Sequence, residues 1–260
     1  MSQADSVGNA KPKELVLQKS YKLDFPVSYF TIDNLGAYYL ISRSNELVKY
    51  DEQGVWVGNH REQVLGPLRY VDATNPLQLL LFYPEVSALL QLDNMLYPTN
   101  RFNIAGLRLS EHSLVCRSFD NNFWLFDERA FRLRKLAFDL RTVVEGEWLQ
   151  NELSGHIAPN YMIEHAERIY LNDPEQGIHL FDLYGRYLKT IAITGLNRMD
   201  FFGDYMYYVL DRKLYRYHLR LRQTEVLQLP SKSKARMVRV NHRGIYILEA
   251  NELLLFQALD

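Results

Sequence analysis

Short apolar runs dominate this chain, and polar turn-forming residues separate them. Clear examples are residues 37–41, 79–83, 168–171 and 244–248. Short runs of this kind between turn formers are typical of β-strands, whereas apolar residues at helical spacing nowhere extend beyond about two turns. The pattern predicts an all-β protein.

The runs recur at a regular interval. We interpret one segment of each unit as its third strand. Each of these segments ends on an apolar or aromatic residue, and in most units a polar turn former follows. The six end residues, which we call anchors, are Tyr50, Leu92, Phe126, Phe181, Tyr217 and Phe256. Their mean spacing is 41 residues. A period of about 40–45 residues with four strands per unit is typical of β-propellers. The sequence therefore predicts a six-bladed β-propeller with four-stranded blades, and an open sandwich with coincidental spacing is the alternative.

The last unit ends at Asp260, directly after its third strand, so it lacks an outermost strand. Residues 14–22 are extended and alternating, and they can supply the missing strand and cover an exposed sheet edge. We therefore expect residues 1–12 to be a flexible polar leader and residues 13–260 to form a single propeller domain closed by its N-terminal strand. No apolar run approaches the ~20 residues of a membrane span, and the leader lacks the apolar core of a signal peptide.

One interval between anchors, from Phe126 to Phe181, is 55 residues long. We interpret residues 141–160 within it as a long insertion between blades three and four, which enlarges one loop-rich face. Long loops in compact domains are commonly functional. Exposed aromatic residues supply much of the binding energy of protein interfaces, and Trp56 is one candidate. The predicted partner-binding residues are Tyr97, Glu145, Glu147, Trp148 and His156.

The formal net charge of −1 excludes a strong overall field toward nucleic acid or acidic membranes. Residues 201–260 are nevertheless mildly basic, with ten basic and six acidic side chains. Residues 212–222 interleave basic and aromatic residues, but no recognised nucleic-acid-binding module accompanies them. We predict no nucleic-acid partner.

No complete catalytic or metal-binding motif is present. The seven histidines include no closely spaced helical ligand pair, and the single cysteine, Cys116, lies in an apolar run that indicates a buried structural thiol. A nucleophile elbow and phosphate-binding glycine loops are missing. Glu164-His165, at the end of a predicted inner strand, is interpreted as a structural hydrogen-bonding pair. We therefore predict no catalytic residue, metal or cofactor, and no enzymatic activity.

Four segments carry a resemblance to a known group of proteins: YFTIDNLG at 29–36, VDATNP at 71–76, SFDNNFW at 118–124 and GIHLFDLYG at 177–185. With them, residues from about 20 to the end resemble a family of six-bladed propellers of Bacteroidota, often exported and found as predicted envelope lipoproteins. The resemblance implies a periplasmic or cell-surface location, with a lipid tether through the polar leader, and it implies no catalytic residue. The lone cysteine also fits a cytoplasmic location, which stays open as the alternative.

These observations favour a non-enzymatic interaction module of the bacterial cell envelope, an accessory subunit or scaffold that binds another envelope protein through its loop-rich face. Two alternatives remain open. One is a metal-dependent hydrolase or lyase that acts on a sugar or lactone at the central channel mouth. The other is a sensor of glycans or small ligands that uses exposed aromatic residues. Propellers host all three kinds of function.

Overall fold

The structure of the protein is a computed structural model that describes residues 13–107, 110, 113–153, 157–230 and 234–259. In chain order its strands are β1 (Lys13–Glu14), β2 (Leu17–Lys22), β3 (Val27–Ile32), β4 (Tyr38–Ser42), β5 (Leu47–Tyr50), β6 (Trp56–His60), β7 (Tyr70–Asp72), β8 (Leu79–Tyr83), β9 (Ala88–Leu92), β10 (Pro98–Asn103), β11 (Leu114–Arg117), β12 (Phe123–Asp127), β13 (Arg132–Leu136), β14 (Thr142–Glu145), β15 (Tyr161–His165), β16 (Arg168–Asp173), β17 (Gly177–Phe181), β18 (Tyr187–Ile191), β19 (Met199–Phe202), β20 (Tyr205–Leu210), β21 (Lys213–His218), β22 (Gln223–Gln228), β23 (Met237–Asn241), β24 (Gly244–Leu248) and β25 (Glu252–Gln257). Short 3₁₀ turns occupy Pro84–Val86, Ala105–Leu107 and Leu149–Asn151.

The strands form six sheets, each an antiparallel meander of four strands. Blades 1 to 4 comprise β3–β6, β7–β10, β11–β14 and β15–β18, and blade 5 comprises β19–β22 with β1 added. Blade 6 comprises β23, β24, β25 and β2. This is a six-bladed β-propeller of four-stranded blades, which confirms the predicted fold class.

The fourth strand of blade 6 comes from the N-terminal end of the described chain. β2 pairs antiparallel with β25, and Tyr21 lies opposite Leu253 in that register. The prediction that the N-terminal strand completes the last blade is therefore confirmed, with residues 17–22 of the predicted segment 14–22 forming that strand. The two residues of β1 instead pair with blade 5, which the sequence did not indicate.

Two compact units divide the chain, residues 1–59 with 198–260 and residues 60–197. Unit 1 holds blades 1, 5 and 6, except for the last residue of β6, and unit 2 holds blades 2, 3 and 4. The predicted leader, residues 1–12, lies outside the described residues. That residues 13–260 form a single domain stays a prediction.

Many second strands are buried along their whole length, among them β4, β8, β12 and β24. A strand covered on both faces is continuously apolar rather than alternating. Within unit 1, Phe30, Leu40, Tyr246 and Leu248 form one apolar cluster between blades 1 and 6. Leu15, in the link from β1 to β2, joins a second cluster between blades 5 and 6.

The 55-residue interval arose from an error in our assignment of strands in blade 3. Phe126 lies in the second strand of that blade, β12, and the third strand is β13, which ends at Leu136. With that correction, the ends of consecutive third strands lie between 37 and 45 residues apart along the chain, and no interval is unusually long. Residues 142–145 are the fourth strand of blade 3, so the predicted insertion at 141–160 begins as a regular strand, and the connection to blade 4 that follows it contains a 3₁₀ turn at Leu149–Asn151.

Candidate functional site

One kind of turn recurs at the strand ends and fixes the residues that it presents. The Oδ1 atom of Asp182 accepts hydrogen bonds from the backbone N–H groups of Tyr184 (2.9 Å) and Arg186 (3.0 Å). Aspartates 33, 51 and 93 make the same two bonds at their own turns. Such side-chain bonds hold a turn in one conformation. Burial raises the pKa of Asp182, but the hydrogen bonds from Arg186 and Tyr184 outweigh burial and hold it below its usual range.

Large apolar side chains project from these and related turns. In unit 2 they are Leu77, Met95, Tyr97, Phe119 and Tyr184, with exposed fractions between 50% and 70%. All five belong to a turn between the first and second or between the third and fourth strands of a blade. In a four-stranded antiparallel meander, these two turns lie at the same end of the sheet.

Bonds between neighbouring blades show that this end is shared by the three blades of unit 2. The backbone N–H of Arg117, at the end of β11, donates to Asp72, at the end of β7, over 3.0 Å. The backbone N–H of Phe119 donates to Glu164, near the end of β15, also over 3.0 Å. We call the surface formed by the five apolar side chains the turn face.

The turn that carries Phe119 is bonded to the neighbouring blade. Besides the Phe119 N–H, the carboxylate of Glu164 accepts hydrogen bonds from Ser118 Oγ and Trp124 Nε1, both over 2.6 Å. These three bonds tie the first turn of blade 3 to blade 4. The sequence-based interpretation of Glu164 as a structural hydrogen-bonding residue is thereby confirmed.

A buried lysine contacts the aromatic rings at the same turn. Lys135 Nζ lies 5.2 Å from the ring centroids of both Phe119 and Trp124, and it pairs with Asp120 over 2.6 Å. Burial raises the pKa of Asp120, but the bonds donated by Lys135 and Asn122 outweigh burial and lower it. The exposed phenyl ring of Phe119 therefore lies over a buried lysine whose charge is paired with Asp120.

Three of the predicted partner-binding residues lie together at the end of β14. The guanidinium of Arg132 stacks on the Trp148 ring at 4.3 Å from its centroid and pairs with Glu145 over 2.8 Å. Half of the Trp148 surface, 52%, stays exposed. Glu147, between them in the sequence, is also exposed.

This cluster lies against the third turn of blade 4. A Cβ atom added to Gly185 would lie 2.9 Å from Gly146 Cα, so the two backbones touch and neither position has room for a larger residue. The exposed Tyr184 precedes Gly185, and the guanidinium of Arg186 lies 5.9 Å from the Tyr184 ring centroid. Trp148, Glu145, Glu147 and Tyr184 thus share one stretch of surface.

The structure separates the other predicted residues from this cluster. Tyr97 ends the third turn of blade 2 and belongs to the turn face, together with Met95. Trp56 is exposed on β6 in unit 1. His156 lies outside the described residues. Sequence reasoning missed Leu77, Phe119 and Tyr184, although each is a large apolar residue inside a polar turn sequence.

The described residues offer no metal site. They contain no group of three or more His, Cys, Asp or Glu side chains placed to hold a metal ion. Within the same residues, no helix is long and apolar enough to cross a membrane. Cys116 is buried, and burial raises the pKa of its thiol well above its usual value.

Proteins of known structure share the fold of this chain. No protein-family model matches the chain, and no curated protein matches it. A virginiamycin B lyase from Staphylococcus aureus, solved as an inactive variant with quinupristin, is similar in structure over 90% of this chain and 80% of its own, at 10% identity and a TM-score of 0.61. A streptogramin B lyase is similar over 95% and 88%, at 11% identity and 0.63. The Pan2 WD40 domain of Neurospora crassa is similar over 96% and 89%, at 11% identity and 0.58. At this identity the likeness shows the fold alone.

Proposed function

We propose that the protein is a non-enzymatic binding module that holds a protein partner against the turn face of unit 2. The observation that carries this proposal is the group of five large apolar side chains that remain exposed on hydrogen-bonded turns at one end of three blades. Contiguous exposed apolar residues on a soluble surface commonly mark interaction sites.

The rigidity of the turns matters as much as their composition. Association costs free energy for every side chain and loop that it orders, so anchors that are already fixed bind more tightly. Phe119 and Tyr184 are held by Glu164 and Asp182 before any partner arrives. Aromatic side chains presented in this way are the type that dominates interface energetics.

The cluster around Trp148 adjoins Tyr184 through the contact between Gly146 and Gly185, but it follows β14, at the opposite end of the blade 3 sheet from Phe119. The predicted residues Glu145, Glu147 and Trp148 are therefore separate from the turn face, and a partner would meet them only by reaching past Tyr184. We retain the bacterial cell envelope as the proposed location, on the sequence resemblance alone.

A site-specific photo-crosslinking experiment tests this function. A photoreactive phenylalanine analogue replaces Phe119 or Tyr184 in separate proteins and, as matched controls, Val64 or Val86. These two valines are exposed in unit 2, in the connections at the opposite ends of the same sheets.

We expect one discrete adduct in native extract from the turn-face positions, competed away by unlabelled protein and missing from the control positions. Equal adducts from both sets of positions would contradict a specific surface. The lack of any adduct at Phe119 and Tyr184 would overturn the proposal.

A further inference from the structure

The connection that follows β14 holds one tryptophan in a fixed position. The backbone N–H of Gly146 donates to the Leu133 carbonyl over 2.8 Å, and that of Leu149 donates to the Phe131 carbonyl over 3.0 Å. The side chain of Leu149 is fully buried. Trp148 therefore lies in a short segment that is bonded to blade 3 on both sides.

The indole ring of Trp148 offers one face to a ligand. The guanidinium of Arg132 covers the other face, at 4.3 Å from the ring centroid, and 52% of the Trp148 surface remains exposed. The face of an aromatic ring carries partial negative charge. It attracts a cation, or the weakly positive C–H groups on the flat side of a pyranose ring. Because the ring is held before a ligand arrives, stacking on it costs little ordering.

Two carboxylates beside this ring have unused hydrogen-bonding capacity. Glu145 pairs with Arg132 over 2.8 Å and with Arg134 over 3.7 Å, and both pairs use its Oε1 atom. No residue that the structure describes donates to Glu145 Oε2. Glu147 is exposed and accepts no hydrogen bond from the described part of the chain. Both side chains can therefore accept hydrogen bonds from the hydroxyl groups of a ligand.

Blade 4 adds hydrogen-bond donors on the far side of the contact between the two glycines. The hydrogen bond to Asp182 raises the pKa of Arg186, and Glu147 adds a smaller effect of the same sign. The carboxylate of Glu147 thus lies within electrostatic reach of the Arg186 guanidinium. The Arg186 side chain is 60% exposed, and the exposed Tyr184 adds a hydroxyl group.

The charges of this surface balance one another, which bears on the charge of the ligand. Each of three arginines pairs with a carboxylate of its own, in the pairs Arg132–Glu145, Arg134–Asp127 and Arg186–Asp182. Glu147 adds one further negative charge, so a polyanion gains no net attraction here. A neutral ligand with many hydroxyl groups, each able to donate and to accept, fits this mixture of groups better.

We propose that the protein has a binding site for a neutral carbohydrate on the surface formed by Trp148, Glu145 and Glu147. One side of a pyranose ring stacks on the open face of the indole, and the sugar hydroxyls donate to the two carboxylates. The site is separate from the turn face and does not depend on the protein partner proposed above. Its test leaves Tyr184 unchanged, because that residue borders both surfaces.

Fluorine NMR of the full chain labelled with fluorinated tryptophan tests the site, because the three tryptophans differ in environment. Trp148 is 52% exposed, Trp56 is 57% exposed in unit 1, and Trp124 is fully buried. The probes are cellotriose, mannotriose and chitotriose at concentrations of tens of millimolar. We expect at least one of them to shift the Trp148 resonance and to leave those of Trp56 and Trp124 in place. No shift at Trp148 with any of the three, or an equal shift at Trp56, would overturn the proposal.

Two variants separate the ring from the carboxylates, with the affinity for the sugar that binds measured by titration calorimetry. Trp148→Ala removes the stacking surface and should weaken binding on the order of tenfold. Glu147→Gln keeps the shape but removes a charged acceptor and should weaken it about fivefold. The matched controls, Trp56→Ala and Glu167→Gln, change exposed residues elsewhere and should leave the affinity unchanged. Undiminished binding to a folded sample of Trp148→Ala or Glu147→Gln contradicts the proposal.

An arginine of a protein partner is the alternative occupant, because it would also stack on Trp148 and pair with Glu147. The peptide acetyl-GRG-amide is the probe for it, and tighter binding of this peptide than of every trisaccharide would overturn the carbohydrate as the ligand. Phe119→Ser separates this site from the turn face. We expect that variant to keep its affinity for the sugar, and loss of that affinity would mean that the two surfaces are not separate.

Discussion

At the scale of single residues, a few buried polar groups decide how rigid the candidate surface is. Glu164 satisfies three donors from blade 3, one of them the indole N–H of the fully buried Trp124. Removing an acceptor from buried donors costs about 1–3 kcal/mol for each group left unpaired. The sequence suggested this role because Glu164 ends an inner strand, but nothing in it identified the donors.

We expect Glu164→Ala to lower the free energy of unfolding by about 1–3 kcal/mol, since the indole N–H of Trp124 and the hydroxyl of Ser118 lose a charged acceptor, whereas the exposed Phe119 N–H can bond to water. Glu167→Ala is the matched control, on an exposed residue of the next turn, and should change stability by less than ~0.5 kcal/mol. Urea denaturation of both variants measures the difference. Similar values for the two would show that the bonds to Glu164 do not hold the turn.

Two histidines should make the stability of the protein depend on pH. His179 is buried, its Nδ1 lies 2.8 Å from Thr190 Oγ1, and burial lowers its pKa below the ordinary value of 6.5, against a smaller opposing effect of Asp173. Burial also lowers the pKa of His60. For such groups the unfolded chain binds more protons below pH 6.5, so stability falls as pH decreases through that point.

We therefore expect the free energy of unfolding to decline between pH 6.5 and about 4.5, by at most ~1.4 kcal/mol per pH unit for each histidine. The lowered pKa values of Asp120 and Asp182 act only below that window, near pH 3.8. Chemical denaturation across pH should show a smaller slope in His179→Gln. An unchanged slope in that variant would contradict the assignment to His179.

At the scale of elements, the strands were predictable and their exact assignment was less so. Short apolar runs identified the strands because strands covered on both faces are apolar along their length, as β24 shows. The error in blade 3 arose because β12 ends with Phe126-Asp127, which imitates the end of a third strand. The turn face escaped prediction because exposure depends on the neighbouring turns, which the sequence alone does not place.

Contact between Gly146 and Gly185 gives a test of how blades 3 and 4 fit together. Gly185 has φ +73°, and an added Cβ would meet Gly146 Cα at 2.9 Å. Gly203 also has a positive φ, +57°, but an added Cβ would meet nothing within 4 Å. Gly203→Ala should therefore cost only the ~1–2 kcal/mol of the left-handed conformation.

Gly185→Ala should cost at least ~1 kcal/mol more than that, because the backbones must also separate. Thermal and urea unfolding of the two variants, compared side by side, supply the measurement. Equal losses would mean that the two turns do not press on each other.

Across the whole molecule, the fold depends on the pairing of the N-terminal strand with the last blade. β2 lies beside β25 in residues 17–22, and Leu15 is buried in the cluster between blades 5 and 6. Removal of residues 1–22 would expose a sheet edge and part of that cluster. We expect this truncation to abolish cooperative unfolding, whereas removal of residues 1–12 leaves it intact, as circular dichroism during heating would show. A cooperative transition at the same temperature in both proteins would contradict the role of β2.

At this scale the sequence predicted the fold and left the function open. Its period indicated a propeller, and the similar solved structures show the same fold at 10–11% identity. The proposed binding surface rests instead on the exposure of particular turn residues such as Phe119, and on the bonds that hold their turns. Of the predicted residues, Tyr97 lies on the turn face, whereas Trp148 lies in the connection between blades 3 and 4, at the opposite end of blade 3.

The most direct test of this account is the affinity for the partner that Phe119 and Tyr184 capture. Surface plasmon resonance would compare Phe119→Ser with Tyr184→Ser in one protein against Val64→Ser with Val86→Ser in another, after thermal unfolding shows that both are folded. We predict at least ~100-fold weaker binding for the first, since two anchors of about 2 kcal/mol each are lost, and a change below about threefold for the second. Equal affinities for the two proteins would contradict the turn face as the binding surface.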